Sequence, residues 1–155
     1  MKSLVAYYSE FGNTRQIAET IAETLGKEGA SIAMPIGQLQ PSQLKGLDLL
    51  VMGSPTHRMN VPEAVRPILK SLPRGILAGT PVAAFDTSYK MSSLMARFSA
   101  GRKLAPRLRK LGGQPTVPPQ TFHVESKEGP LCEGEIERAQ AWAASILEQL
   151  KAQAR

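Results

Sequence analysis

The feature that most constrains the fold of this chain is a regular alternation of short apolar runs with amphipathic helical patterns. Residues 4–8 and 47–53 are apolar runs typical of strands buried on both faces of a sheet. After the first run, apolar residues recur at the spacing of a helix: Ile17, Ala18, Ile21, Ala22 and Leu25. Strand and helix alternate about five times, which predicts an α/β fold, a parallel sheet with helices on both faces.

Proline and glycine introduce irregularities into this alternation. Pro35 suits a strand at the edge of the sheet. The helical pattern of residues 93–111 is interrupted by Gly101 and Pro106, so we expect a kink or two pieces. Pro118-Pro119 allows the last strand only at an edge or with an interruption. Further elements are expected at residues 62–72 (helix), 81–86 (strand) and 134–155 (helix).

Length and composition narrow the class of protein. A chain of 155 residues that is 42% hydrophobic and 21% charged fits one globular domain, residues 1–155. The first residues meet Glu10 too soon for a signal-peptide core, and no run approaches the ~18 apolar residues of a membrane span. We therefore expect a cytoplasmic protein. Cys132 is the single cysteine, so neither an internal disulfide nor a metal site is expected.

The positive charge is concentrated in the middle of the sequence. The chain carries a net charge of +6, and residues 58–124 contain eleven Lys or Arg against two Asp or Glu. Such a surface attracts acidic proteins, nucleic acids, anionic membranes or small anions, or it is simply a solvated helix face. Aromatic residues are nearly absent from the basic stretch, which disfavours nucleic acid.

The loop after the first strand, residues 9–14, leads directly into a helix. The start of a helix presents unpaired main-chain N–H groups and a partial positive charge, which together bind phosphate. Ser9, Asn13 and Thr14 add side-chain donors, and Gly12 would let a ligand approach the backbone closely. The loop lacks the lysine of a nucleoside-triphosphate loop and the glycines of a dinucleotide loop. The alternative is an ordinary helix cap.

The loop after the third strand, residues 53–60, collects hydroxyl groups, a proline and a histidine. At the carboxyl edge of the sheet these groups could surround a planar polar ligand. A lone histidine such as His57 is more often structural than catalytic. No serine nucleophile motif accompanies His57 or His123, the two histidines of the chain.

The loop after the fourth strand contains Tyr89, whose ring could cover a planar ligand. Thr87, Ser88 and nearby main-chain N–H groups could bind the polar edge of that ligand. Alternatively, residues 86–88 form an ordinary turn and Tyr89 is a surface aromatic. Three such loops at one sheet edge favour a shared site.

Residues 7–14, 53–56 and 85–87, with the order of elements over nearly the whole chain, resemble the flavodoxin-like flavoproteins. The resemblance implies a three-layer flavodoxin-like sandwich around a five-stranded parallel sheet of order 2-1-3-4-5. It also implies noncovalent binding of flavin mononucleotide (FMN), with no metal.

The resemblance assigns a place to each candidate site residue. The phosphate loop would comprise Ser9, Glu10, Phe11, Gly12, Asn13 and Thr14. One side of the flavin ring would face Pro55, Thr56, His57 and Arg58. The other side would face Thr87, Ser88 and Tyr89, and Asp86 is included among the cofactor-binding residues. Two residues depart from the family pattern: Phe11 replaces a small hydroxyl residue, and Glu10 would repel a phosphate unless it points outward.

The function implied by the resemblance is electron transfer by an FMN-binding redox protein. Because the chain is basic, we expect a redox partner protein with an acidic docking surface. The alternative is an FMN-dependent quinone or protoporphyrinogen-type oxidoreductase acting on a small-molecule acceptor, with His57 or Tyr89 as proton donor. A third possibility, a nucleic-acid-binding module, is disfavoured. We also expect Gly12→Val to crowd the phosphate loop.

Overall fold

A computed structural model describes residues 1–57, 60–90 and 92–155. The strands are β1 (Lys2–Tyr7), β2 (Ala30–Pro35), β3 (Leu49–Pro55), β4 (Pro81–Ser88), β5 (Gln114–Pro115) and β6 (Gln120–His123). They form a parallel sheet of order β2-β1-β3-β4-β5, and β6 also pairs with β4. The predicted α/β architecture and strand order are confirmed, and the strand containing Pro35 lies at the edge.

The fifth strand position is divided, so the sheet has six strands where five were expected. β5 pairs with the start of β4 through Val82 and Pro115, whereas β6 pairs with its end through Phe85 and Gln120. Between these two pairs, the outer chain has two more residues than β4. The extra residues include Pro118-Pro119, which cannot donate main-chain hydrogen bonds to a neighbouring strand. The expected interruption is therefore a two-residue bulge.

Helices cover both faces of the sheet. They are α1 (Asn13–Leu25), α2 (Arg66–Ser71), α3 (Ser93–Ala96), α4 (Ala100–Lys110) and α5 (Glu135–Gln153). The apolar side chains of α1 and α5 are buried together on one face, and those of α2 and α4 are buried on the other. Phe85, Phe122 and Trp142 meet edge to face with ring centroids 6.0–6.1 Å apart. This aromatic cluster joins the sheet to α5.

The helical segment in the middle of the chain is broken, but not at the glycine or the proline. α3 ends at Ala96 and α4 begins at Ala100, where the Ser99 hydroxyl accepts a hydrogen bond from the Arg102 N–H. This cap begins a new helix. Pro106 lies inside α4 without ending it. α2 is also shorter than expected, because residues 62–65 form a turn rather than its first turn of helix.

Neither a membrane-spanning helix nor a metal site occurs in the described ranges of the chain. Within them, no helix combines the length and the apolar character needed to cross a bilayer. The histidines, cysteine and acidic residues described by the structure form no cluster of three or more suited to a metal ion. Cys132 is free and partly buried.

Candidate functional site

A cleft of about 400 Å³ lies at the carboxyl ends of β1, β3 and β4. A parallel sheet places the loops that follow these strands side by side, at the point where the chain reverses its direction across the sheet. The volume lies within the range of small-molecule sites. The lining residues are Ser9, Glu10, Phe11, Asn13, Thr14, Pro55, Thr56, His57, Thr87, Ser88, Tyr89, Val124 and Lys127.

The loop of residues 9–14 keeps most of its main-chain N–H groups open. The Ser9 hydroxyl accepts hydrogen bonds from the N–H groups of Gly12 (3.1 Å) and Arg15 (3.3 Å), so it satisfies two N–H groups at the start of α1, although the N-cap residue is Gly12. The N–H groups of Glu10, Phe11, Asn13 and Thr14, like that of Ser9, donate to no acceptor in the part of the chain that the structure describes. Open N–H groups at the positive end of a helix suit an anion such as phosphate.

Gly12 matters for its backbone conformation rather than for the space around it. Its φ is +91°, in the left-handed region, and it directly precedes α1. A β-carbon at Gly12 would meet no heavy atom within 4 Å. The space beside Gly12 is therefore open in the protein itself, and the expectation that Gly12→Val would crowd a phosphate bound in this loop stays a prediction. The requirement for glycine comes from φ, which other residues adopt only with strain.

Two threonines join the loops of the cleft. The hydroxyl groups of Thr14 and Thr87 lie 2.8 Å apart, and these residues are only 2% and 4% exposed. The main-chain N–H of Thr56 donates to the Thr87 carbonyl at 3.0 Å. All three cleft loops are thus tied to Thr87. The Thr14 and Thr87 side chains hold the cleft in shape, and their hydroxyl groups are already paired.

Asp86 lies beneath the cleft and does not line it. Its carboxylate is completely buried and accepts hydrogen bonds from the hydroxyls of Thr56 (2.5 Å) and Thr121 (2.6 Å). The Thr56 hydroxyl in turn accepts the Ala100 N–H at 2.9 Å. Burial raises the pKa of Asp86 above its ordinary value, and the bonds from Thr121 and Thr56 oppose that effect. Asp86 therefore positions the β3 loop against β6 and α4.

Gly101 explains why α4 can approach this buried carboxylate. A β-carbon at Gly101 would stand 3.1 Å from Asp86 Oδ1 and 3.2 Å from the Phe85 carbonyl carbon. That spacing is tighter than ordinary van der Waals contact. The glycine that interrupts the helical pattern in the sequence is thus a close-packing position at the base of the cleft.

The carboxylate of Glu10 is held by two neighbours. The Tyr8 hydroxyl donates to Glu10 Oε1 at 3.4 Å, and His57 Nε2 lies 3.3 Å from Glu10 Oε2. Burial, followed by the negative charge of Glu10, raises the pKa of Tyr8. Glu10 and His57 also line a second cleft of about 470 Å³, which extends toward Pro62 and Arg66. These two side chains therefore form the partition between the clefts.

Two aromatic side chains of the first cleft are about half exposed. Phe11 is 48% exposed and Tyr89 is 49% exposed. Both line the cleft, so their rings are accessible to a planar ligand. Stacking on such rings is favourable because it removes apolar surface from water on both partners.

The structure brings together eleven of the fourteen predicted site residues as lining of the cleft. Asp86 lies below the cleft, and Gly12 is not part of its lining. Arg58 lies outside the described residues. Sequence reasoning missed Val124 and Lys127, which belong to the connection after β6. The basic character of Lys127 was visible, but the pairing that brings this connection to the cleft was not.

Comparison with known proteins places the chain in a family. Residues 4–124 match the family model described as flavodoxin domain. A curated relative, NADPH-dependent diflavin oxidoreductase 1 of Cryptococcus neoformans var. neoformans serotype D, is 32% identical over 123 residues. The match covers 72% of this chain and 19% of that protein, so the chain corresponds to a minor part of the relative.

Solved structures show the same fold over nearly the entire chain. Flavodoxin 2 from Bacillus cereus has a TM-score of 0.78 and 22% identity, with 96% of this chain and 99% of that chain covered. Rubredoxin oxygen:oxidoreductase from Desulfovibrio gigas has a TM-score of 0.76 and 21% identity, with 99% of this chain and 37% of that chain covered. At sequence identities this low, the structural similarity establishes the fold alone.

Proposed function

Because the chain belongs to the flavodoxin family, which binds FMN, we propose that its cleft holds FMN without a covalent bond and that the protein transfers electrons. The observation that carries this proposal is the group of open main-chain N–H groups that includes those of Glu10, Phe11, Asn13 and Thr14. They lie at the carboxyl edge of a parallel sheet, beside two accessible aromatic rings. A phosphate and a planar ring are the two parts of FMN that these features fit.

Each of the three loops would contact a different part of the cofactor. The open N–H groups of residues 9–14 would hold the phosphate. The β3 loop, with Pro55 and His57, and the β4 loop, with Ser88 and Tyr89, would flank the ring. Bound FMN supplies one-electron and two-electron redox chemistry, and the protein supplies orientation and polarity. Thr56 would contribute its main-chain carbonyl, since its hydroxyl is committed to Asp86 and Ala100 and its N–H to the Thr87 carbonyl.

Glu10 is compatible with a phosphate in this loop because two neighbouring side chains fix the position of its carboxylate. His57 Nε2 and the Tyr8 hydroxyl both lie within 3.4 Å of its two carboxylate oxygens. These contacts hold the carboxylate at the partition between the clefts. They reduce the repulsion that the sequence alone suggested.

The surface of α4 supports a partner with an acidic docking surface. Arg102, Arg109 and Lys110 are exposed on this helix, and residues 87–123 contain seven basic residues and no acidic one. Positive and negative patches steer proteins together before contact. The exposed apolar side chains of Leu94, Met95 and Phe98 precede the helix and add surface that a partner could cover.

The visible absorption spectrum of the purified protein, with identification of the released cofactor, tests FMN binding. We expect a yellow protein that releases FMN, or an apoprotein that binds added FMN in a titration. A colourless preparation that takes up no flavin would contradict the proposal. Stopped-flow reduction by an acidic redox protein tests electron transfer: Arg102→Glu and Lys110→Glu should slow it, whereas Lys45→Glu, with the same charge change elsewhere, should not.

A second candidate function is FMN-dependent oxidoreduction of a small molecule, such as reduction of a quinone or oxidation of a protoporphyrinogen-type substrate. The observation that favours it is the second cleft of about 470 Å³, which shares Glu10 and His57 with the first. A small acceptor there would lie beside the proposed flavin, with His57 within reach as a proton donor. Steady-state oxidation of NAD(P)H with quinones by the purified protein separates the two functions, because a carrier alone should show little turnover.

A further inference from the structure

We infer that Lys127 contacts the phosphate group of the proposed FMN and strengthens the preference of the cleft for FMN over a flavin without phosphate. The inference rests on the proposed function and adds to it a residue from outside the three loops. Its basis is the connection between β6 and α5, here called the 124–131 hairpin. This hairpin forms a further wall of the cleft through Val124 and Lys127.

The hairpin is held in shape by its own hydrogen bonds. Val124 and Leu131 form an antiparallel bridge, and the Glu125 N–H donates to the Pro130 carbonyl at 2.8 Å. At the tip, the Ser126 hydroxyl donates to the Gly129 carbonyl at 2.6 Å, and the Gly129 N–H donates to the Ser126 carbonyl at 3.0 Å. Lys127 is therefore presented from a closed turn.

The tip of the hairpin is attached to the start of α1. Asn13 Nδ2 donates to the Glu128 carbonyl at 3.1 Å, which joins the residue after Lys127 to the first residue of the helix. Gly129 permits the contact, because a β-carbon there would stand 2.6 Å from Asn13 Oδ1 and its φ is +104°. The Asn13 side chain thus binds the hairpin, while its main-chain N–H remains open.

Lys127 supplies charge where the cleft otherwise lacks it. Among the described lining residues it is the single lysine or arginine, and it forms no ion pair with a described residue. Arg15, which also lies near the loop in sequence, is committed to Glu19 at 2.7 Å. The acidic lining residue, Glu10, faces His57. Within the part of the chain that the structure describes, an anion at the open N–H groups would therefore meet one unpaired cation, the ammonium group of Lys127.

Titration of apoprotein with FMN and with riboflavin, followed by flavin fluorescence, tests the inference. We expect Lys127→Gln to weaken FMN binding about three- to tenfold, as for one partly exposed charge contact, and to leave riboflavin binding unchanged. Lys127→Arg should retain most of the preference, because it keeps the charge. Lys90→Gln is the matched control: it removes the same charge near the cleft from a residue that does not line it.

Each other outcome of the titration overturns the inference in a different way. Unchanged FMN affinity in Lys127→Gln would overturn it and leave the proposed function intact. If Lys127→Gln weakened the binding of FMN and riboflavin equally, Lys127 would have a structural role. If Lys90→Gln weakened FMN binding as much as Lys127→Gln, the effect would come from the overall positive charge of the surface and not from a contact of Lys127. A wild-type protein that binds neither flavin would overturn the proposed function together with this inference.

Discussion

The aromatic ring of Phe85 occupies the space in which a side chain on Gly53 would stand. The two residues are direct partners in the pairing of β3 with β4. A β-carbon built on Gly53 would overlap the Phe85 ring. Phe85 is completely buried and also packs against Phe122 and Trp142. The absent side chain at Gly53 therefore makes room for a large aromatic side chain in the core, two residues before Pro55, which lines the cleft.

Gly53→Ala should destabilise the protein by about 2–3 kcal/mol, because the added methyl group forces Phe85 from its place in a packed core. Denaturation by urea measures the loss. Gly37→Ala is the control, since a β-carbon there meets no atom within 4 Å and no positive φ is involved. When Phe85 is also replaced by leucine, Gly53→Ala should lower the free energy of unfolding by less, because the aromatic ring that the methyl group would overlap is gone. Equal losses at both glycines would refute the packing argument.

Replacement of Asp86 by asparagine should change how stability depends on pH. Burial raises the pKa of Asp86 in the folded protein above its ordinary value of 3.8. As pH rises from about that value, the unfolded chain loses its proton first and is favoured. The free energy of unfolding of the wild type should thus fall relative to Asp86→Asn between pH 3.8 and the raised pKa, and the difference should be constant above it.

Urea denaturation of the apoprotein and of Asp86→Asn across this pH range measures that difference. Each unit by which the pKa is raised corresponds to about 1.4 kcal/mol. A difference that grows in favour of the wild type as pH rises would mean that the hydrogen bonds from Thr56 and Thr121 outweigh burial. In that case the ionised carboxylate of Asp86 would stabilise the folded protein instead of destabilising it.

Most of the fold could be predicted because its determinants are local. The spacing of Ile17, Ile21 and Leu25 predicts α1 and the face that it buries. The apolar run of β3 predicts a central strand. The break at Ser99 was missed because Gly101 and Pro106 are stronger interruptions in isolation. The Ser99 hydroxyl accepts a hydrogen bond from the Arg102 N–H and so begins a new helix at Ala100. Gly101 does not break the helix, because it is needed there for close packing against Asp86.

The candidate site could be predicted only in part, for a related reason. Residues of the three loops follow their strands directly, so the sheet order brings them together. Lys127 reaches the cleft through the Asn13 contact to Glu128, which links positions 115 apart in sequence. The role of Asp86 also depends on distant partners, Thr56 and Thr121. Contacts of this kind leave no periodic pattern in the chain.

Gly12→Ala should weaken FMN binding about three- to tenfold and cost about 1–2 kcal/mol of stability, because alanine at φ +91° is strained. Relief of that strain would move the open N–H groups of residues 9–14. Gly26→Ala is the control: Gly26 lies at the other end of the same helix with φ −61° and open space around its β-carbon. FMN titration and urea denaturation of both variants measure the effects. Normal FMN affinity in Gly12→Ala would show that the conformation of Gly12 is not needed for the site.

Glu10→Gln should strengthen FMN binding about two- to fivefold, because it removes a negative charge from the wall of the cleft without changing its shape. The same substitution should lower the pKa of Tyr8, since the charge of Glu10 and its hydrogen bond both raise it. The lowering should be incomplete, because burial is the larger cause. Titration of tyrosine absorbance, with Tyr8→Phe to assign the transition, measures the second effect in the absence of FMN.

Glu23→Gln is the matched control for both measurements, since Glu23 is exposed on α1 and does not line the cleft. It should leave the FMN affinity and the pKa of Tyr8 unchanged. Weaker FMN binding in Glu10→Gln would mean that the contact between Glu10 and His57 at 3.3 Å stabilises the cleft more than the charge of Glu10 repels the phosphate. A lower pKa of Tyr8 together with unchanged FMN affinity would place the phosphate beyond the reach of that charge.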